Sequence, residues 1–191
     1  TDIAVFREGS IWHTSILPVA GYQLTRDIAI GLGLPFEVAE EMKKKYGSVM
    51  PVYEGNNDTA PSISKDGHGV SYQDLCDIIR ARVEEIMKLI LLEMPNSDYD
   101  TLVPAGLVLT GGSSNLAGMA SLGRDTLRIP VRVGAPHDIY GVGDQLRDPA
   151  YATSVGLVLW GNRYEGRRHW KGGLVSGALN KLAARLRGLF R

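Results

Sequence analysis

The chain opens on two short runs in which apolar residues alternate with polar ones. Residues 3–7 and 11–17 predict two strands, and Glu8-Gly9-Ser10 between them predicts a hairpin connection. Periodicity then changes. Ile28, Ile30 and Leu32 among polar neighbours predict a short helix over residues 25–32. Pro35 is suited to the first position of a second helix, which runs to Tyr46 with Phe36, Val38, Ala39 and Met42 inward, and Gly47 as its stop. Residues 49–53 predict a short strand, and residues 54–69, rich in Gly, Asn, Asp, Ser and Pro, predict loops around weak strands.

Ser71 followed by Asp74 forms a cap for a long helix. Leu75, Ile78, Ile79, Val83, Ile86, Met87, Ile90, Leu91 and Met94 keep helical spacing along it until Pro95. Residues 105–110 lack polar alternation, which predicts a strand buried on both faces. A helix over residues 116–122, a strand over 129–133, a glycine-bearing loop over 138–148 and a compact buried helix over 151–161 complete the pattern. Strands alternating with helices predict a layered α/β fold with a mixed sheet and flanking helices.

The last segment changes the picture more than the overall composition does. Residues 163–191 hold 8 basic residues and 1 acidic residue, Glu165, leaving 13 basic and 20 acidic before them. An acidic body of about −7 thus carries a basic tail of about +7 within a chain of zero net charge. In residues 174–191, Val175, Leu179, Leu182, Ala183, Leu186, Leu189 and Phe190 fall within about 120° of helical arc. Lys181, Arg185, Arg187 and Arg191 fall outside it, and Gly172-Gly173 precedes the helix as a hinge. This predicts an amphipathic helix lying in the interface of an anionic membrane, too short to span it. A helix docked on a globular core would explain the apolar stripe, though not the ring of arginines. The single cysteine, Cys76, excludes a disulfide scaffold and a cysteine zinc site, and it fits a packing role in a reducing compartment. Histidines 13, 68, 137 and 169 show no metal spacing. The abrupt start at Thr1, almost inside a strand-like run, suggests a fragment, and with no charged leader or cleavage-site pattern no targeting peptide is visible.

Two local features carry candidate chemistry. Residues 108–115, Val-Leu-Thr-Gly-Gly-Ser-Ser-Asn, deliver a strand into Gly111 and Gly112 and then a helix start. Such a turn lets a ligand approach the backbone and offers unpaired N–H groups to phosphate or ribose oxygens. Neither the G-x-G-x-x-G nor the P-loop spacing is present, so a ligand-free turn is the plainer interpretation. Glu40 and Lys43 are neighbours on one helical face, where the plain interpretation is an exposed ion pair.

Taken in order, several segments resemble FtsA, the actin-like bacterial division proteins. Thr1-Asp2-Ile3-Ala4-Val5-Phe6 resembles the end of that family's second phosphate motif. Ile11-Trp12-His13-Thr14 and Thr25-Arg26-Asp27-Ile28-Ala29 resemble the segments after that motif, and Ala39-Glu40-Glu41-Met42-Lys43 resembles the ribose-contacting helix. Leu109-Thr110-Gly111-Gly112-Ser113 resembles the adenosine motif, and residues 149–157 resemble the stretch before the tail.

The resemblance implies half of an actin-like (ribonuclease H-like) ATPase fold. Residues 1–46 and 103–162 would form the nucleotide-binding subdomain, 47–102 an inserted FtsZ-binding subdomain, 163–173 a linker and 174–191 the membrane helix. It implies ATP with Mg²⁺ in the full-length protein, and Thr1, Asp2, Glu40, Lys43, Gly111, Gly112 and Ser113 as this chain's share of the site. That site would be incomplete here, so the chain alone would bind ATP very weakly and hydrolyse none. Arg80 and Arg82 would meet the acidic FtsZ C-terminal peptide, since a guanidinium can pair with a carboxylate at two points, and Arg82 ranks first because residues 79–85, Ile-Arg-Ala-Arg-Val-Glu-Glu, resemble the family's segment for this contact. Arg80 has an ordinary alternative partner in Glu84 at i+4. Membrane contact would fall to Leu179, Leu182, Leu186, Leu189 and Phe190, with Lys181, Arg185 and Arg187 toward anionic headgroups. The implied role is to anchor FtsZ polymers at the cytoplasmic face of the membrane at the septum and to self-associate, without nucleic acid, metal ligands or catalytic residues in this chain. A PilM-type pilus adaptor and a sugar kinase are the competing members of the same superfamily.

Overall fold

The computed structural model describes residues 1–50, 62–65, 68–94, 104–137, 139 and 143–165. The predicted strand over residues 49–53 and the amphipathic helix over 174–191 therefore lie largely or wholly outside the described residues.

Strands β1 (Asp2–Arg7) and β2 (Ser10–Ile16) form the predicted antiparallel hairpin. The connection uses two left-handed residues, Glu8 at φ 53° and Gly9 at φ 78°, and a bulge falls between Val5 and Phe6. Two left-handed central residues match the twist of paired strands, which is why this turn closes the hairpin. Alternation puts Ile3 and Val5 in the core and leaves Phe6 exposed on the opposite face.

Helix α1 spans Gly21–Leu32, four residues longer at its start than the apolar spacing predicts. The Gln23 side-chain carbonyl accepts from the Ala20 N–H at 2.9 Å and ties down that first turn, a polar cap that hydrophobic periodicity does not reveal. Gly33, left-handed at φ 63°, ends it. Helix α2 (Phe36–Tyr46) starts after Pro35 and ends at Gly47. The antiparallel pair β3 (Ser62–Lys65) and β4 (His68–Ser71) leads into α3 (Tyr72–Leu92), and the Ser71 hydroxyl accepts from the Asp74 N–H at 3.4 Å.

Strands β5 (Leu107–Leu109) and β6 (Val131–Val133) pair in parallel. Both are shorter than the apolar runs that predict them. Gly106, left-handed at φ 79°, bends the chain into β5, and Pro130, which has no N–H, precedes β6 while its carbonyl accepts from Leu107. Val108 is 46% exposed, so β5 is not buried on both faces as its composition predicts. Parallel and antiparallel pairing both occur, in three separate two-stranded ladders among the described residues. A 3₁₀ turn (Gly112–Asn115) follows β5, and the next helix, α4, runs Met119–Leu127. It starts later than its predicted 116–122 because Gly118, at φ 85°, must turn the chain first. Helix α5 (Gly143–Leu146) and a second 3₁₀ turn (Pro149–Tyr151) come next.

The core gathers Leu24 and Ile28 of α1, Ala39 and Met42 of α2, Leu75, Ile79, Val83 and Met87 of α3, and Leu122 and Leu127 of α4. Cys76 is fully buried with them, and burial pushes its thiol pKa up, the behaviour of a packing residue. Residues Thr1–Thr153 form one compact unit and Ser154–Arg191 a second. Helix α6 (Ala152–Glu165) begins at the end of the first and continues in the second. Sequence predicts this helix as buried. Leu157, Val158, Leu159, Trp160 and Tyr164 are instead exposed, and Trp160 and Tyr164 stack on each other at 4.9 Å. Its apolar residues do not gather on one side, so no single docked face can bury them all. No helix among the described residues is long and apolar enough to cross a membrane.

Two left-handed glycines separate backbone strain from collision. A Cβ at Gly33 would meet nothing within 4 Å, whereas one at Gly106 would lie 2.0 Å from the Pro130 carbonyl oxygen. Gly33→Ala is expected to cost about 1–2 kcal/mol, the left-handed penalty alone. Gly106→Ala should cost clearly more, since it also pushes apart β5 and β6. Urea unfolding of the two variants checks the order.

Candidate functional site

The site is built on a buried lysine. Lys43 sits on the inner face of α2 and is 7% exposed. A buried ammonium keeps its charge only if its three N–H donors find acceptors. They do: the Gly21 carbonyl at 3.0 Å, the Thr25 hydroxyl at 2.7 Å and Glu40 Oε2 at 2.6 Å. The Thr25 hydroxyl, accepting from Lys43, also lies against both Glu40 Oε2 and the Gly21 carbonyl. Its single proton goes to the carboxylate, the stronger acceptor. Lys44 adds a contact of 3.1 Å to Glu40 Oε1. Burial raises the Glu40 pKa, but the hydrogen bonds from Lys43, Thr25 and Lys44 outweigh it and hold the carboxyl at about 2.

Gly21 opens α1 and makes the bridge to the second feature. A Cβ there would come within 2.5 Å of Ser113 Oγ and 3.8 Å of Lys43 Nζ. The turn after β5 therefore reaches the α1–α2 cluster where only a hydrogen fits. Gly111, at φ 88°, has open space at its Cβ position and donates to the Pro149 carbonyl at 3.0 Å. The turn is braced by Ser114, whose hydroxyl donates to the Gly111 carbonyl at 2.7 Å, and by Asn115, which donates to Asp148 at 2.8 Å. Asp148 also accepts from the Ala150 N–H at 2.7 Å, and these bonds lower its pKa. Thr1 lies beside the loop that enters α1: its hydroxyl donates to the Val19 carbonyl at 2.5 Å. Asp2 opens β1 opposite Ile16 and is exposed.

Of the sequence-predicted residues, Thr1 meets Val19, Ser113 and Lys43 reach Gly21, and Glu40 joins them through Lys43 and Thr25; Gly111 and Gly112 lead into Ser113 and pack toward Pro149 and Ala150. Lys43 is engaged inside the protein, where it ties α1 to α2. Glu40 keeps an ionised carboxylate at the rim, and Gly111 and Gly112 offer accessible backbone. Arg80 and Arg82 stand elsewhere, on α3. Arg80 donates to Glu84 at 2.9 Å and is exposed, the ordinary i+4 pair. Arg82 instead forks onto Asp27 of α1, with Nε to Oδ2 at 2.5 Å and Nη2 to Oδ1 at 3.0 Å, and its Nη1 donates to Glu85.

The FtsA family model, cell division protein FtsA, matches residues 1–156. The chain belongs to the FtsA family. It is similar to FtsA of Pseudomonas aeruginosa, 40% identical over 164 residues covering 84% of this chain and 39% of that protein. It is 32% identical to FtsA of Escherichia coli K12 over 170 residues, covering 84% and 40%. The chain therefore spans about two fifths of the length of these FtsA relatives. Among solved structures, MreB5 of Spiroplasma citri bound to ADP superposes with a TM-score of 0.61 at 16% identity, covering 87% of this chain and 52% of that one. A PilM–PilN type IV pilus biogenesis complex gives 0.59 at 22%, covering 84% and 42%. These likenesses establish an actin-like ATPase fold.

Sequence inspection missed Gly21 and Thr25 as members of the cluster and Asp27 as the partner of Arg82. Thr25 carried a signal, a polar residue one turn from Gly21 on the inward side of α1. Asp27 carried none, since its partner is 55 residues away.

The Glu40 pKa sets a pH dependence. The carboxyl titrates near 4.5 when unfolded and about 2 when folded. Its stabilisation is therefore complete above about pH 4.5 and lost as pH falls toward 2. Because the side chain is 29% exposed, the total is of the order of 2 kcal/mol after allowing for solvent screening. Urea midpoints at pH 6 and pH 3 should fall more for the unmodified chain than for Glu40→Gln. Equal losses would show that Glu40 gains nothing from its partners.

Proposed function

We propose that this chain is the nucleotide-binding and partner-binding half of a division protein that anchors FtsZ polymers to the cytoplasmic face of the membrane at the septum. Membership of the FtsA family is the observation that carries the reading. In this reading residues 1–46 and 103–162 form the nucleotide-binding subdomain and residues 47–102 an inserted subdomain that receives the FtsZ C-terminal peptide. Residues 163–173 are a linker, and residues 174–191 an amphipathic membrane helix. Self-association into actin-like filaments multiplies the membrane contacts.

The whole protein would bind ATP. Glu40 suits a ribose hydroxyl, because its carboxylate is kept ionised and is partly exposed. Gly111 and Gly112 suit close approach of the nucleoside, with Ser113 at their edge. Lys43 would shape this surface without touching the ligand, since its three donors are already used. No group of three metal-ligating side chains is found among the described residues. Mg²⁺ would be carried on the nucleotide's phosphates. No hydrolytic step is assigned to this chain.

Membrane attachment is the part most open to test. Each basic residue near an anionic surface contributes ~1 kcal/mol, and burial of the apolar stripe adds a few kcal/mol. Ordering the helix offsets part of that, so single copies should bind reversibly. The chain is expected to co-sediment with anionic liposomes and less with neutral ones. Truncation after Gly173 should abolish sedimentation, and Leu186→Glu should nearly do so by placing a charge at the centre of the stripe. Equal sedimentation of the intact and truncated chains would end the anchor reading.

A further inference from the structure

Arg82 is already engaged. Helices α1 and α3 pack antiparallel along two rungs, since Asp27 meets Arg82 and Gly31 lies against Ile78 one turn further on. A Cβ at Gly31 would come within 2.6 Å of Ile78 Cδ1, so the helices approach closely there. The Asp27–Arg82 fork closes the outer rung with two bonds, and both side chains are about a quarter exposed, at 26% and 28%. Beside it lies a groove of about 280 Å³ lined by Asp27, Ile78, Ala81, Arg82 and Glu85. Ile78 and Ala81 offer it apolar surface, and its charged rim holds two carboxylates against one guanidinium. As the groove stands, the rim repels an acidic peptide, and the Nε–Nη2 edge of its only cation is occupied. Arg80, two residues away, faces solvent and pairs with Glu84 on its own helix.

We propose that Asp27 is a built-in competitor for Arg82: it occupies the guanidinium edge that an acidic peptide needs, and the peptide binds by displacing it. This rests on the reading of Arg82 as the contact for the FtsZ C-terminal peptide. Two features fit the arrangement. An exchange of one carboxylate for another leaves Arg82 paired throughout, and the displaced Asp27 carboxylate, already about a quarter exposed, passes to water. A partly exposed ion pair is also weak enough to be exchanged, whereas a fully buried one would not be. Asp27 thereby sets the threshold for partner binding. It also keeps Arg82 extended across the groove, with little side-chain freedom left to lose when the peptide arrives.

The test is fluorescence anisotropy on the full chain with a labelled synthetic FtsZ C-terminal peptide. Arg82→Ala should weaken binding. Asp27→Asn, which removes the competing charge and keeps the side-chain shape, should tighten it about threefold to tenfold. In the double variant the gain should vanish. If Arg82→Ala weakens binding and Asp27→Asn leaves it unchanged or weaker, the competitor is overturned and the partner reading stands. If Arg82→Ala has no effect, both fall. A second measurement needs no substitution at Asp27. The Nε proton of Arg82, held by Asp27, should give a protected NMR resonance that shifts when the peptide saturates the chain. A resonance that stays in place at saturation overturns the proposal.

Discussion

The buried ammonium of Lys43 is the constraint on which the candidate site depends. Three N–H donors in the interior require three acceptors, and each acceptor fixes a piece of backbone. The Gly21 carbonyl fixes the first turn of α1, the Thr25 hydroxyl the second, and Glu40 the turn of α2 that precedes Lys43 itself. The angle between the two helices is thus set by polar geometry as well as by Leu24, Ile28, Ala39 and Met42 packing beneath it. Removing any one acceptor would leave a buried charge short of a partner, which is far more costly than losing one surface ion pair. The same demand shapes the neighbouring turn. With Lys43 drawn onto α1, residue 21 has room only for hydrogen, and Ser113 occupies the space that a side chain there would fill.

Helix α1 joins this cluster to the rest of the compact unit. One side of it gives Gly21 and Thr25 to the Lys43 network. Another gives Asp27 and Gly31 to α3. Its apolar residues Leu24 and Ile28 lie between these two polar commitments and are fully buried. The polar contacts therefore sit at the margins of an apolar seam, where water can still reach part of each charge. Burial contributes most of the stabilisation, and the ion pairs select one rotation of the helix about its axis.

Much of this was legible in the sequence wherever the decisive interaction is local. The β1–β2 hairpin, the Pro35 start and Gly47 stop of α2, and the Ser71 cap of α3 depend on residues a few positions apart, and all are seen. The FtsA family pattern was legible too, because it is carried by the order of several short segments. What the sequence concealed was non-local. Residues 105–110 read as a doubly buried strand because all of them are apolar or small, yet the pairing partner is limited by Pro130 and the bend by Gly106, so only Leu107–Leu109 extend. Helix α6 read as buried because apolar content was taken for burial. Content says what a helix would gain from a covering surface, and supplies no such surface.

Arg80 and Arg82 show the same limit at the level of single residues. They stand two positions apart on one helix, with the same chemistry and similar neighbours in sequence. Two residues rotate a helical side chain by about 200°, so the pair must face different environments. Arg80 faces out and takes the i+4 glutamate that sequence offers it. Arg82 faces α1 and takes a carboxylate from another element, with Glu85 as a second. The family resemblance ranks Arg82 first, and its guanidinium geometry suits a carboxylate. The fork does meet a carboxylate at two points, and in this structure that carboxylate is the chain's own.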